Sequence, residues 1–303
     1  MVDAVVFGNV TLDVICKTVD EVPRHESLAF DQVAVMPGGC GSNVAVGLCA
    51  LGVPTALVAC IGSDDAAELV RKFWTQFGLD QRYVRVMAGQ QTGTSVGLVD
   101  SEAQPRFIHT PGANAFLNVD ALDLSILAAE GARALHIAGY FVLPGVLDGR
   151  LPATLANAQQ NGMFTSLDVV RSQRMHDPSS LWPSLPHLDL FLCNAHEAWC
   201  LTGEDRPELA GRSLRMRGAK SVIVKLGRDG CWLESSTFSG RIKASQADEV
   251  DTTGAGDAFA AGLIQALLQG YKIEDACWYA NLAGAHIVSA LGAVGGWLKG
   301  GLL

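Results

Sequence analysis

A glycine-rich heptapeptide at residues 251–257, Asp-Thr-Thr-Gly-Ala-Gly-Asp, carries residue types suited to phosphoryl transfer. An apolar run follows it, so the glycines are expected to form the turn that opens a helix. The first N–H groups of a helix lack internal partners and carry partial positive charge, which suits an anion. We therefore interpret the N–H groups of Gly254, Ala255 and Gly256 as an anion site.

Asp257 stands inside this anion site, where its carboxylate would repel a phosphate. The position makes chemical sense if Asp257 takes a proton from a hydroxyl group that attacks the phosphorus. An anion site beside a general base is the arrangement of a phosphoryl-transfer centre. The alternative is a plain helix start, because an acidic residue in the first turn stabilises any helix.

A second glycine cluster, Pro-Gly-Gly-Cys-Gly-Ser-Asn at residues 37–43, also precedes a predicted helix. Gly38 and Gly39 allow a ligand to approach the backbone, and Asn43 offers both a donor and an acceptor. Asp13 follows the first predicted strand, and ligands bind at the carboxyl ends of strands in open α/β sheets. Asp13 and Asn43 are therefore candidates to hold a polyol, although Asp13 taken by itself is more typical of an acid at the surface or in a turn.

Two further segments have both a structural and a functional interpretation. Asn194 and Glu197 have the spacing of a helix capping box. The same side chains could instead organise water and Mg²⁺ near phosphates, since Mg²⁺ prefers a few oxygen ligands and retains waters. Lys225 and Gly227 lie in a turn predicted to join two strands, and they could also contact a nucleotide.

Strand-like and helix-like segments alternate along most of the chain, which predicts a mostly parallel sheet with helices on both faces. The predicted strands are 4–7, 55–60, 133–137, 163–167, 189–192 and 220–225. The predicted helices are 41–51, 64–77, 145–161, one beginning near 195, 254–268 and 273–291.

Four predicted strands have no helices between them and are expected to pair as hairpins, 10–19 with 28–35 and 92–99 with 105–109. Strands outside a wound sheet could form a lid that excludes water from a ligand crevice. The alternative is that they extend the edge of the main sheet.

The amino-acid composition limits which classes of partner the chain can bind and which compartment it suits. Its 303 residues are 49% hydrophobic, enough for a large core, and its net charge of −9 argues against nucleic acid or an anionic membrane as a partner. The eight cysteines form no C-x-x-C pair and are interpreted as buried thiols of a reducing compartment. The first residues lack a signal-peptide pattern, so we expect a cytoplasmic location.

Several common nucleotide and catalytic motifs do not occur in the sequence. The first turn lacks the G-x-G-x-x-G fingerprint, which disfavours a dehydrogenase, and no Walker A loop is present. His196 and Glu197 begin a zinc-protease pattern, but Cys200 stands where its second histidine would be.

The chain resembles the ribokinase-like (PfkB) family of carbohydrate kinases over nearly its whole length. Residues 38–52 are similar to the N-terminal signature of that family, and residues 251–262 to its C-terminal signature. The resemblance implies an α/β three-layer sandwich in which helices flank a mostly parallel central sheet. It also implies a single kinase domain over residues 1–303, with the strands of a small β-sheet lid inserted at about 10–35 and 92–109.

The resemblance further implies roles for individual residues. Asp257 matches the catalytic base, and the N–H groups of Gly254, Ala255 and Gly256 match the anion hole for the γ-phosphoryl group of ATP. The positions that match substrate-binding residues are Asp13, Gly38, Gly39, Asn43 and, besides its role as base, Asp257. The positions that match the ATP side are Asn194, Glu197, Lys225, Gly227, Gly230, Gly254, Gly256 and Asn281. Glu197 would hold Mg²⁺ through water, and Asp251 and Thr253 match the monovalent-cation (K⁺) loop of some members.

The function implied is an ATP-dependent sugar kinase that phosphorylates a primary hydroxyl group of a carbohydrate of the ribose, fructose or keto-sugar-acid class. Residues 136–140 lack the glutamate of ribokinases proper, and Asp168 and Arg171 depart from the D-x-N-x-R pattern of 2-keto-3-deoxygluconate kinases. The alternative is a nucleoside kinase of the same fold, with a base slot supplied by Phe30, Phe107 or Tyr140. A non-catalytic sugar- or nucleotide-binding regulator is disfavoured by the intact Asp257, and a homodimer through the lid is a further expectation.

Overall fold

A computed structural model describes residues 1–300 and contains two β-sheets. Nine strands form the large sheet in the order β13-β12-β11-β10-β9-β8-β1-β4-β5, and four form the small sheet in the order β3-β2-β6-β7. The strands in chain order are β1 (Ala4–Gly8), β2 (Thr11–Lys17), β3 (Gln32–Gly38), β4 (Thr55–Ile61), β5 (Val84–Val86), β6 (Thr94–Val99), β7 (Pro105–Thr110), β8 (Ala134–Ala138), β9 (Phe164–Asp168), β10 (Leu190–Asn194), β11 (Ser221–Lys225), β12 (Cys231–Glu234) and β13 (Ser239–Ile242).

The large sheet is parallel from β5 to β11 and antiparallel from β11 to β13. Its central strands are buried on both faces, and this is why β1 and β4 read as nearly continuous apolar runs. The predicted parallel sheet is therefore confirmed.

Helices cover both faces of the large sheet and bury a separate apolar core on each side. The helices in chain order are α1 (Cys40–Ala50), α2 (Asp65–Gln76), α3 (Leu124–Ala129), α4 (Leu151–Gln160), α5 (Ala195–Thr202), α6 (Pro207–Met216), α7 (Ala255–Leu268), α8 (Ile273–Val288) and α9 (Gly295–Leu298). One core lies under α1, α2, α7 and α8, and the other under α3 to α6. Within residues 1–300, each helix falls short of the length and apolarity needed to cross a membrane.

The small sheet contains the two predicted hairpins. β2 pairs with β3 and β6 pairs with β7, both antiparallel, and a parallel pairing of β2 with β6 joins the hairpins. The strands therefore form a sheet of their own, and the alternative in which they extend the main sheet is wrong. The strand predicted at 28–35 lies further along the chain, since β3 begins at Gln32 and ends at Gly38.

The helix predicted over 145–161 is also wrong in its first turns. The structure has a 3-10 turn at Pro144–Val146, and α4 begins only at Leu151. Gly149 separates the two with φ 85°, a left-handed conformation that interrupts a helix. Five elements of the structure were not predicted from the sequence: the helices α3, α6 and α9 and the strands β5 and β13.

Candidate active site

The two glycine clusters meet at the carboxyl edge of the large sheet. Asn43 lies in the first turn of α1 and Asp257 in the first turn of α7, and Nδ2 of Asn43 donates a hydrogen bond to Oδ2 of Asp257 over 2.8 Å. This contact joins residues that are 214 positions apart in the chain. The candidate sugar residues and the candidate phosphoryl-transfer residues therefore form one site.

The start of α7 has no side-chain cap among residues 1–300, and of its first N–H groups that of Ala255 donates to the Thr252 carbonyl oxygen over 3.3 Å. Gly254 is the N-cap in the left-handed conformation (φ 78°, ψ 0°). A Cβ atom on Gly254 would lie 2.6 Å from Cα of Ala293, so only glycine fits. Exposed N–H groups at an uncapped helix start are suited to bind an anion.

Asp257 is partly exposed, and its carboxylate is held by a neighbouring helix. Burial raises the pKa of Asp257 above its ordinary value, while the Asn43 amide and the Lys225 ammonium oppose this shift. Burial, with Asp257 and Asp168 nearby, raises the pKa of the Cys40 thiol well above its ordinary value. A carboxylate beside protonated neighbours can accept a proton from a hydroxyl group placed next to it.

The candidate sugar side is lined by buried oxygen atoms. Asp13 lies on β2, is 5% exposed and accepts a hydrogen bond from Oγ1 of Thr11 over 2.5 Å. Burial and the Asp257 and Asp251 carboxylates raise the pKa of Asp13 to about 6. A Cβ atom on Gly38 would overlap the Asp13 carboxylate, so a larger residue there would displace this side chain.

Two amide oxygens on this side have no hydrogen-bond partner among residues 1–300. They are Oδ1 of Asn9 and Oδ1 of Asn43, and both atoms are buried. Gly39, the N-cap of α1 with φ 82°, packs against the backbone carbonyl of Asn9. Buried polar atoms are normally satisfied, so these oxygens are suited to accept hydrogen bonds from the hydroxyl groups of a ligand.

The start of α5 is closed by its own side chains. Oδ1 of Asn194 accepts from the Glu197 N–H (2.8 Å), and Oε2 of Glu197 accepts from the Asn194 N–H (2.7 Å). The capping interpretation of this pair is therefore confirmed. Glu197 is only 5% exposed, and burial raises its pKa although Lys225 opposes the shift.

A crevice of about 1050 Å³ brings together most residues assigned to ATP. The β11–β12 turn, the loop at 244–249, the start of α7 and the inner face of α8 line it, and they contribute Lys225, Gly227, Gly230, Ala255, Gly256 and Asn281. Nδ2 of Asn281 donates to the Lys243 carbonyl oxygen (3.2 Å) and so shapes one wall. Asn194, Glu197 and Gly254 do not belong to the lining of this crevice.

A buried ion pair lies between the crevice and the edge of the sheet. Nζ of Lys225 is 2.6 Å from Oδ2 of Asp168. Burial and the Glu197 carboxylate raise the pKa of Asp168 to about 7, and Lys225 opposes this shift. Asp168 was considered from the sequence only as a departure from the D-x-N-x-R pattern and not as a site residue, although its place at the carboxyl end of β9 was a usable signal.

The donor set near this pair fits Mg²⁺. Oδ1 of Asp168 is buried without a partner in residues 1–300, and the Glu197 carboxylate lies close to the same lysine. Hard carboxylate oxygens, with water completing the shell, are the ligands that Mg²⁺ prefers.

Asp251 fixes the loop that leads into α7. Its Oδ1 accepts from the Thr253 N–H (2.9 Å) and the Thr253 hydroxyl (2.6 Å), and its Oδ2 accepts from the Gly292 N–H (2.7 Å). The small sheet contacts this loop too, because Nζ of Lys17 donates to the Val250 carbonyl oxygen over 2.7 Å. The segment that leads into the anion turn is thus anchored to the small sheet and to the loop at Gly292.

Comparisons with known proteins agree with this geometry. The model of the family described as pfkB family carbohydrate kinase matches residues 1–299. The chain belongs to the pfkB family of carbohydrate kinases. It is 30% identical to an ATP-dependent ribose-1-phosphate kinase of Halopiger xanaduensis, over 97% of this chain and 94% of that one.

Two further proteins are similar over almost the whole chain. An aminoimidazole riboside kinase of Salmonella typhimurium is 26% identical over 91% of this chain and 88% of its own length. The solved structure of an Arabidopsis thaliana ribokinase complexed with ribose and ATP is 25% identical, with a TM-score of 0.80 over 97% of this chain and 95% of that one. The resemblance and the ribokinase-like fold are confirmed, and the protein is a kinase that phosphorylates an alcohol group.

Proposed function

We propose that this protein transfers the γ-phosphoryl group of ATP to a primary hydroxyl group of a sugar. The Asn43–Asp257 hydrogen bond supports this most directly, because it places the candidate base between the sugar side and the anion turn. Phosphoryl transfer needs positioning and charge stabilisation more than covalent chemistry by the protein. This arrangement of residues offers both.

In this proposal each part of the site has one task. Asp13 and the two unpartnered amide oxygens orient the sugar, and Asp257 accepts the proton of the attacking hydroxyl. The N–H groups of Gly254, Ala255 and Gly256 stabilise the charge that develops on the γ-phosphoryl oxygens.

Mg²⁺ and a monovalent cation belong to the proposal as well. Asp168 and Glu197 would hold Mg²⁺, which when bound neutralises charge on the phosphates of ATP. Asp251 and Thr253 would form part of a K⁺ site, since they order the loop beside the anion turn. Equal rates in potassium and in choline buffers would exclude the K⁺ site.

A sugar is favoured over a nucleoside by the surroundings of the aromatic residues. Tyr140, a candidate for a base slot, is 1% exposed in the core on the other face of the sheet. Phe30 and Phe107 remain as candidates, and both are exposed around the small sheet. Since one relative is named as a ribose-1-phosphate kinase and another as a riboside kinase, both pentose phosphates and nucleosides belong in the test.

The test is ADP release from Mg-ATP with a panel of pentoses, hexoses, sugar acids, sugar phosphates and nucleosides. We expect one class of sugar to stimulate release, and Asp257→Asn to abolish the stimulation. Stimulation by nucleosides alone would establish the alternative acceptor. Nucleotide binding without release for any acceptor would instead favour a non-catalytic regulator.

Three other expectations remain proposals. The chain would fold as a single domain in which the small sheet acts as a lid, and it would reside in the cytoplasm. Edge strands β3 and β7 expose Val33, Val35 and Ile108, and a second copy pairing there would form a homodimer. A monomer mass by light scattering at working concentration would exclude the dimer.

A further inference from the structure

Asp168 and Lys225 pair across a strand that separates them. Asp168 ends β9 and Lys225 ends β11, and β10 runs between these two strands. The side chains are 6% and 14% exposed, and their atoms approach to 2.6 Å. Burying two charges is costly unless they are paired, so a pair in this place requires an explanation.

The lysine reaches the anion turn. A Cβ atom on Gly256 would lie 3.0 Å from Nζ of Lys225, so the ammonium stands directly over the second residue of α7. Lys225 and Gly256 also line the same crevice. An anion bound by the first turn of α7 would therefore meet the ammonium as well.

The other cation that lines the crevice differs in its surroundings. Arg228 pairs with Glu249, and its side chain is 77% exposed. Lys225 instead lies among three carboxylates that stabilise its charge, Asp168, Glu197 and Asp257. Among the residues lining this crevice, Lys225 is thus the cation held inside the site.

We propose that the Lys225 ammonium contacts the γ-phosphoryl group and that Asp168 is a positioning residue that holds this ammonium over Gly256. The assignment rests on the proposed function, because it needs a nucleotide triphosphate in the crevice. A lysine side chain has a flexible four-carbon stem, and a partner that fixes it in advance removes the need to order it during the reaction.

The chain contains a matched control pair on the same strands. Nζ of Lys220 is also 2.6 Å from an aspartate, Asp189, and these residues precede β11 and β10 at the opposite edge of the sheet. The Lys220 side chain is 63% exposed and lies away from the crevice. Lys220→Met therefore removes a Lys–Asp pair of equal length without touching the site.

The experiment measures the affinities of Mg-ADP and Mg-AMP-PNP for the native protein, Lys225→Met and Lys220→Met by calorimetry. A contact to the γ-phosphoryl group predicts that Lys225→Met weakens AMP-PNP binding by about tenfold more than ADP binding. Lys220→Met should leave both affinities unchanged. Lys225→Met leaves the buried Asp168 charge unpaired and could fail to fold. The double variant Asp168→Asn/Lys225→Met removes both charges at nearly constant volume, so the same affinities can be measured on it instead.

Turnover separates positioning from a purely structural role for Asp168. Asp168→Asn should lower kcat by about tenfold with the acceptor KM unchanged. At saturating Mg²⁺, where a weakened Mg²⁺ site is still filled, it should cause no additional loss in the Lys225→Met background.

If Lys225→Met weakened the binding of ADP and AMP-PNP equally, the contact to the γ-phosphoryl group would be refuted. If Asp168→Asn lowered the melting temperature but left kcat unchanged, the positioning role of Asp168 would be refuted. Neither result would affect the proposed function. A native protein that binds neither nucleotide would overturn the proposed function together with both assignments.

Discussion

Two helices that begin at the carboxyl edge of the large sheet, α5 and α7, use the same helix position in opposite ways. Each has an acidic residue at the third helical position, Glu197 in α5 and Asp257 in α7. Glu197 turns back to its own N-cap, whereas Asp257 is bonded to Asn43 of another helix. An acidic residue near a helix start is thus not informative until its hydrogen-bond partners are known.

The N-cap residues account for the difference. Asn194 has a side chain that accepts an N–H of its own helix, so α5 is satisfied without a ligand. Gly254 has no side chain, so α7 starts without a side-chain cap in the part of the chain that the structure describes. The α5 start stabilises the fold, and the α7 start is the one prepared for an anion.

The largest expected effect comes from closing the α7 start. Gly256→Val places a branched side chain against Lys225 and over the first turn of α7, so we expect kcat/KM to fall by about 10³-fold. Turnover assays with a circular-dichroism melt as folding control would measure this. Retention of normal activity by a folded variant would refute the anion site.

The pH dependence of kcat/KM of the native enzyme should show an effect smaller than that of Gly256→Val. Burial raises the pKa of Asp257, so its carboxylate is protonated, and unable to accept a proton, up to a higher pH than an ordinary aspartate. We expect kcat/KM to fall as the pH decreases, with an inflection above the ordinary value of about 3.9. An inflection at or below that value would contradict the environment assigned to Asp257.

The smallest effect should come from opening the α5 start. Asn194→Ala removes the cap, and we expect it to lower the free energy of unfolding by about 1 kcal/mol, measured by urea denaturation. Asn194→Asp retains an acceptor and serves as the matched control. A loss of stability in Asn194→Asp as large as in Asn194→Ala would show that the cap does not stabilise α5.

Helix starts and buried strands that depend only on neighbouring residues in the chain were predictable from the sequence. The glycines and the acid at 254–257 specify a helix start through backbone conformation alone, and the apolar runs of β1 and β4 specify buried strands. The sequence could not show whether Glu197 caps α5 or binds Mg²⁺, because a capping box and an Mg²⁺ site demand the same residue types. Hydrogen-bond geometry decided that capping occurs.

Features that depend on distant contacts were not predictable. Asp168 and Lys225 are 57 positions apart, and only the strand order brings them together across β10. The late start of α4 has a different cause. The helical sequence pattern begins at 145, but Gly149 takes a left-handed conformation and the helix begins only after it. Hydrophobic periodicity does not report such a break.

The central claim is that Asp257, unlike Glu197, is free to accept a proton from a substrate. The most direct test is kcat of Asp257→Asn with the acceptor found by the panel, together with its affinity for Mg-AMP-PNP. Loss of the base should lower kcat by at least about 10²-fold while the nucleotide affinity stays within about threefold of the native value. An unchanged kcat in Asp257→Asn would contradict the account.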